Sequence, residues 1–302
     1  MSAVELICRE CGSALGAMRE VACGCGSELR VEGGILRAIA PERRRYYEKF
    51  LRDYAAIRHA EGRGSEDPAY YRALPFADLS GRNAAQWRIR AATYRYFESR
   101  LLLPAGLDIL DLGAGNGWLS YRLAALGHRP VAVDIFTDAC DGLGAARRYG
   151  RFPLVEAEFD CLPFAGAQFD LAVFNASLHY STDYRRTLAE SLRCLRPTGR
   201  IIVLDSPLYR RRDHGERMQT ERRALFQAQY GFPSDALPIQ EFLHRAQLPE
   251  LAAQLHLTWR IHQPWYGWQW HLRPLRAALT GKRPPSRFCI LEARAAGNGV
   301  TL

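Results

Sequence analysis

No stretch of the 302-residue chain approaches the roughly 18 consecutive apolar residues of a membrane-spanning helix, so no span is expected. The N-terminus, MSAVELICRECG, lacks a basic segment followed by an apolar one. No secretory signal is expected, and the cytoplasm is the expected location. Lysine is nearly missing: Lys49 and Lys282 are the only two, and arginine carries almost all the positive charge behind a net +9 and a pI near 9.3. Such an excess admits RNA or another anionic partner. The arginines alternate with acids, however, as in RRRDHGERMQTERR (Arg210 to Arg223), which reads as a solvated basic surface. The apolar content of 48% and charged content of 24% fit a globular chain with ample core for one large or two modest domains.

Cysteine is scarce over most of the chain and dense at its front. Cys140, Cys161, Cys194 and Cys289 are scattered and read as buried small hydrophobes. Cys8, Cys11, Cys23 and Cys25 fall within 25 residues, and in a cytosolic chain such a cluster points to metal ligation rather than disulfides. Each pair ends in the same tripeptide, Cys11-Gly12-Ser13 and Cys25-Gly26-Ser27. Glycine just past a second thiolate lets the chain turn back so that backbone amides face sulfur. Two such turns facing each other make a closed tetrahedral site suited to zinc. The second pair is CxC rather than CxxC, a departure from the usual ligand spacing.

The stretch from Leu107 to Ile135, LDILDLGAGNGWLSYRLAALGHRPVAVDI, organises the rest. A short apolar strand runs into Gly113, Gly115 and Gly117. A helical run follows with Leu119, Leu123 and Leu126 on one face, and a second strand ends on Asp134. This is a β-turn-α-β unit with a glycine-rich first turn. Asp134 lies about 20 residues beyond Gly113, where a carboxylate can accept both hydroxyls of a ribose. The third glycine of the dinucleotide pattern is replaced by Trp118, and the acid Asp111 precedes the turn. An adjacent acid suits an ammonium group and would repel a diphosphate. Beyond the unit, strands at Pro153 to Glu158, Phe169 to Ser177 and Arg200 to Asp205 alternate with helices, which predicts a parallel, doubly wound sheet.

In this order, DLGAGNG, VAVDI, EFDCLPFAGAQFDLAVFNASLHY and LRCLRPTGRIIVLD resemble the class I S-adenosylmethionine-dependent methyltransferases over residues 105 to 206, and most closely the quinone-biosynthesis branch. The resemblance implies a Rossmann-like, seven-stranded sheet. It also implies that Asp111 and the turn Gly113, Ala114, Gly115, Asn116 and Gly117 line the methionine moiety, and that Asp134 and Ile135 hold the ribose end. Glu158 or Asp160 would lie by the adenine amine, with the amide of Phe159 or Cys161 facing the ring. Asn175 would edge the cofactor. The cofactor implied is S-adenosylmethionine, with S-adenosylhomocysteine as product. His179 lies where the methyl group would be presented, as a general base or as an orienting group. The front segment, residues 6 to 39, resembles the small zinc ribbons that activate tRNA and protein methyltransferases, and the ribbon fused to some ribosomal RNA guanine methyltransferases.

The expected organisation is a zinc β-ribbon at 1–40, a helical linker or lid at 41–104, and a cofactor domain at 105–302 with cap insertions at 207–256 and 264–285. Tyr54, Arg82 and Arg88 are the polar candidates of the lid. The second insertion carries Trp265, Tyr266, Trp268 and Trp270 beside His271 and Arg273, which can cap a substrate, stack on a base or form a dimer contact. The expected activity is methyl transfer to O, N or C of a small, lipid-like or aromatic acceptor. RNA methylation and a non-enzymatic binding module are the alternatives. No NPPY sequence for exocyclic amines occurs, and nothing in the sequence names the acceptor or the oligomeric state.

Overall fold

The computed structural model describes residues 4–102 and 106–296. The front of the chain forms strands β1 (Glu5–Ile7), β2 (Ala14–Ala17), β3 (Val21–Ala22), β4 (Glu28–Glu32) and β5 (Ile35–Arg37). Helices α1 (Pro41–Ala60), α2 (Pro68–Ala73) and α3 (Ala84–Arg100) follow. The alternating region comprises β6 (Asp108–Leu112), α4 (Trp118–Ala125), β7 (Arg129–Asp134), α5 (Leu143–Ala146), β8 (Leu154–Glu156), β9 (Phe169–Asn175), α6 (Tyr184–Cys194) and β10 (Leu195–Leu204). The last third holds β11 (Pro207–Tyr209), α7 (Arg212–Tyr230), β12 (Leu243–His244), α8 (Gln247–Leu255), β13 (Leu257–His262), α9 (Trp268–His271), α10 (Arg273–Leu279), β14 (Arg287–Phe288) and β15 (Ile290–Ala295).

The central sheet runs β13-β15-β10-β9-β6-β7-β8-β5-β4-β3. Its first seven members are the expected doubly wound sheet, parallel from β10 to β8 and closed at one edge by the antiparallel hairpin β13–β15. The sheet does not stop at seven. β5 pairs parallel with β8, and β4 and β3 extend it further, so the end of the cysteine-rich segment is built into the central sheet. The hydrophobic run Ile35-Leu36 makes this possible, since both side chains are buried.

Alternation along DILDL sets the two faces of the sheet. Leu110 and Leu112 pack with Val131, Val133 and Phe174 on one side. Ile109 packs with Ala132, Leu171 and Val173 beneath α3 and α4 on the other. Trp118, at the start of α4, meets the ring of Trp87 edge-on at 6.0 Å and that of Tyr94 at 5.8 Å. The residue that replaces the third glycine thus anchors α3 to the glycine turn. Truncating buried Phe97 on α3 to alanine is expected to cost about 3–5 kcal/mol, measurable by urea unfolding.

Buried Glu292 on β15 gathers Arg200, Arg294 and His262 at 3.0–3.1 Å or less. Burial alone would raise its pKa, but these donors outweigh it and hold the carboxyl at about 2. A carboxyl depressed in the folded state stabilises above its unfolded value and ceases to as pH falls through the folded one. Stability should therefore decline between about pH 4.5 and pH 2, and Glu292→Gln should flatten that part of a pH–melting curve.

Candidate functional site

The turn after β6 is shaped by backbone that only glycine tolerates cheaply. Gly113 has φ +75°, and a Cβ there would stand 2.3 Å from Ser177 Cβ. Gly117 also has φ +75°, and its Cβ would fall 2.7 Å from Ala146 Cβ. The turn is pinned by the N–H groups of Gly113 and Ala114, both donated to Val133 O at 2.8 and 3.0 Å, and by Ser177 Oγ–H donated to Leu112 O at 2.5 Å. Gly115 is different. The nearest atom to a Cβ there would be Asp141 O, an unstrained 3.8 Å away.

A cavity of about 680 Å³ lies across the carboxyl ends of β6, β7 and β9, where a doubly wound sheet switches direction. Gly113, Ala114, Gly115, Asn116, Asp134, Ile135, Glu158, Phe159, Asp160, Asn175 and His179 all line it. Asp111 and Gly117 do not. Asp111 follows the alternation of its strand onto the α4 side, where it is fully buried and accepts Ser120 Oγ–H at 2.7 Å. Burial pushes its carboxyl up to about 7 against that hydrogen bond. The expected wall position of Asp111 is therefore replaced by a position beneath the turn.

Asp134 accepts Gly115 N–H at Oδ2 and Phe136 N–H at Oδ1, each at 2.8 Å. Burial raises its carboxyl to about 6, opposed by those amides. Each oxygen retains a free lone pair toward the cavity. Glu158 Oε1 is heavily engaged by the Arg43 guanidinium at 2.5 Å and Tyr47 O–H at 2.6 Å, while Oε2 receives only Arg43 Nε at 3.2 Å. Asp160 faces Arg186 at 3.4 Å. Both candidate adenine acids reach the cavity, and Glu158 is the one fixed from α1.

Helices α1 and α3 roof the cavity. Phe50, Tyr54, Phe136 and Tyr180 form an aromatic wall with ring centroids 5.1–6.2 Å apart. Arg58 is ion-paired with Asp141, which also accepts Asn116 Nδ2–H at 3.4 Å. The expected lid arginines Arg82 and Arg88 lie off this cavity, and Arg58, Arg63 and Arg90 line it instead. On a helix a shift of one or two positions turns a side chain by 100° or 200°, which moved the cationic face.

The far end of the cavity is enclosed by the first insertion through Met218, Arg222, Phe226, Leu237 and Ile239, and by the second through Trp270 and Arg273. His179 lies between the two ends, with Nδ1 3.4 Å from Ser206 Oγ. Burial, then Arg90 and Arg222, push its pKa down to about 3. The imidazole is thus neutral at physiological pH and a weak base, not the near-neutral base that an unperturbed histidine would be. Asp205, at the end of β10, also lines the cavity and accepts Thr93 Oγ1–H at 2.5 Å. Thr93 Oγ1 in turn lies 2.9 Å from Tyr266 O–H. Burial raises the Asp205 carboxyl. Ala176 (φ +53°) and Asp205 (φ +49°) hold left-handed backbone at the ends of adjacent strands, strain of a kind that gathers at functional sites.

The four front cysteines converge. Their sulfurs all lie within 4.8 Å of one another, with Cys8–Cys25 and Cys11–Cys23 at 3.5 Å. A tetrahedral zinc site with Zn–S near 2.3 Å has sulfur edges of about 3.8 Å, so the donor set fits. Gly12 (φ +76°) and Gly26 (φ +93°) provide the expected turns. Gly12 N–H returns to Cys8 O and Gly26 N–H to Cys23 O, the tighter second turn accommodating the shorter CxC spacing. Of the scattered cysteines, Cys194 and Cys289 are buried as expected, and Cys140 is exposed.

Residues 110–203 match the family model described as "Methyltransferase domain". Over this segment the chain is similar to a methyltransferase domain. The demethylmenaquinone methyltransferase of Clavibacter sepedonicus is 36% identical over 130 residues, covering 42% of this chain and 50% of that protein. The malonyl-[acyl-carrier protein] O-methyltransferase of Erwinia pyrifoliae is 29% identical over 126 residues, covering 40% and 47%. The chain therefore spans about half the length of these relatives. Among solved structures, a chain from the complex of the Haloferax volcanii Trm112 methyltransferase activator with a methyltransferase superposes with TM-score 0.52 at 17% identity, covering 76% of this chain and 97% of that one. The likeness shows a shared Rossmann-like fold.

Several cavity residues were not legible as such. Asp205 ends a strand of a doubly wound sheet, a position that the fold rule alone marks. Asp141, Arg58 and Arg90 carry no such mark, because their place depends on how α1 and α3 cross the sheet.

Proposed function

We propose that the chain is an S-adenosylmethionine-dependent methyltransferase acting on O, N or C of a small, lipid-like or aromatic acceptor. One observation carries this reading: a single cavity joins the glycine turn and Asp134 to a chamber roofed by both insertions. A volume of about 680 Å³ lies within the range of small-molecule sites. The roof suits an acceptor that is wholly enclosed rather than a folded RNA. The cofactor, when bound, supplies an electrophilic methyl group. Gly113, Ala114, Gly115 and Asn116 would hold its amino-acid end, Asp134 and Ile135 its ribose, Glu158, Phe159 and Asp160 its base, and Asn175 its edge. Neutral His179 would orient the acceptor, while Asp205 stands ready to take its proton. The aromatic wall around Tyr54 lines the cofactor end, and alignment would do most of the work.

Asp134 accepts ribose hydroxyls best when ionised, and its carboxyl titrates at about 6. Affinity for S-adenosylhomocysteine should therefore fall as pH drops through about 6, and Asp134→Asn should bind weakly with no such dependence. Calorimetric titration across pH checks this. An inflection that persists in Asp134→Asn would reassign the titrating group. The acceptor class is tested by comparing the methylated metabolites and the methylated RNA of wild type with those of an Asp134→Ala strain. Unchanged metabolites with altered RNA modification would move the substrate to RNA.

The cysteine cluster is proposed to hold one structural zinc ion through Cys8, Cys11, Cys23 and Cys25. Elemental analysis of the purified chain should give about one zinc per chain. Cys11→Ser should lose the metal and lower the melting temperature, as should a strong chelator. No metal above background in a chain purified without chelator would remove the assignment.

A further inference from the structure

The second insertion faces two ways. Trp270 and Arg273 line the cavity, with Trp270 packed 5.4 Å from Phe288 and the Arg273 guanidinium over the Trp270 ring. On the outer side, Trp268, Leu272, Leu275 and Leu279 recur at spacings of three and four residues, which places them on one stripe along α9 and α10, and the Trp265 ring packs 5.0 Å from that of Trp268. Such a stripe normally faces a core. Here neither helix has a buried residue, and Trp268 is 74% and Leu279 78% exposed.

The segment's own charge has one sign, and the acid that meets it is Glu221 of α7, paired with Arg283. Not a single acid occurs between Glu250 and Glu292. Arg276 and Lys282 are exposed beside the stripe, with no carboxylate partner among the described residues. We propose that this segment is an interfacial docking element that seats the chain on an anionic phospholipid bilayer. Exposed tryptophan and leucine on a short amphipathic helix, flanked by cations and free of acids, is the composition that enters the headgroup region. The alternatives fit worse. A second copy meeting this face across a two-fold axis would bring like charges together. RNA offers nothing to a row of leucines. Because the opposite face lines the cavity, a seated chain would have its acceptor chamber at the membrane surface. The docking itself does not depend on the cofactor reading.

Flotation of the full chain with vesicles of equimolar phosphatidylcholine and phosphatidylglycerol tests the proposal, with pure phosphatidylcholine vesicles as the comparison. The expected result is flotation with the acidic vesicles only, weakened by salt, with tryptophan emission shifted to the blue. The combined variant Trp268→Ser, Leu275→Ser, Leu279→Ser changes exposed residues only. It should melt like wild type yet lose at least about tenfold in vesicle partitioning. Arg276→Glu with Lys282→Glu should lose a similar factor on acidic vesicles. Wild type that fails to float with acidic vesicles overturns the proposal, as does a serine variant that floats equally well. Light scattering completes the set: a dimer that the serine variant dissolves, without vesicle binding, would assign the stripe to self-association instead.

Discussion

Replacing Asp134 by alanine is expected to weaken binding of S-adenosylhomocysteine by roughly 10²–10⁴-fold. On the proposed reading the carboxylate accepts two ribose hydroxyls, and a hydrogen bond to a charged group contributes about 1.5–3 kcal/mol. Two of them make about 3–6 kcal/mol, which converts to that range of affinity. The variant has a second injury. Asp134 also accepts Gly115 N–H and Phe136 N–H, so its loss frees two backbone donors and loosens the turn that faces the cofactor. Asparagine keeps the shape and one acceptor oxygen, and should lose about half the free energy. Binding by Asp134→Ala within about threefold of wild type would place the ribose elsewhere. A melting curve separates local loss from unfolding.

A pair of glycine variants should part in kind. Gly113→Ala puts a Cβ against Ser177 at 2.3 Å, on backbone at φ +75°. Left-handed backbone costs a non-glycine residue about 1–2 kcal/mol, and overpacking adds about 1–3. The sum, roughly 2–5 kcal/mol, should lower the melting temperature by about 5–15 °C. Gly115→Ala pays only the backbone part, because its Cβ would make ordinary van der Waals contact, 3.8 Å from Asp141 O. Gly115 lines the cavity, so Gly115→Ala should keep most of its stability and lose cofactor affinity. Calorimetry for melting and titration for binding read the two effects apart. Equal melting losses with unchanged binding in Gly115→Ala would mean that the turn does not face the cofactor.

Much of the fold was legible because its signals are local. Glycines at 113, 115 and 117, an acid at 134 and strands that alternate with helices need no distant partner to be read. The parallel, doubly wound sheet followed from them, and its seven strands from the family resemblance. The three added strands did not, because β5 finds β8 across more than a hundred residues and nothing in ILR names that partner. The four cysteines were legible for the same local reason as the glycines, and their sulfurs meet.

The site divides likewise. Positions on the turn and at strand ends could be assigned by rule, and the lining of the cavity by Gly113, Asp134, Glu158 and Asn175 follows it. Asp111 was misplaced by one side of a pleat. Its charge suggested an ammonium partner, whereas alternation turns it to Ser120. His179 lines the cavity, but not with an ordinary pKa: its burial, and Arg90 and Arg222 from distant helices, cannot be seen from its own sequence. The aromatic insertion split in two, Trp270 turning in and Trp265 and Trp268 out.

The most direct measurement follows the methyl group itself. The purified chain is incubated with methyl-labelled S-adenosylmethionine and a crude cell extract, and the label is then partitioned between organic solvent, aqueous small molecules, protein and RNA. The expected result is label in a small, solvent-extractable product, absent with Asp134→Ala. Label recovered in RNA, or no transfer by a chain that binds S-adenosylhomocysteine, would contradict it.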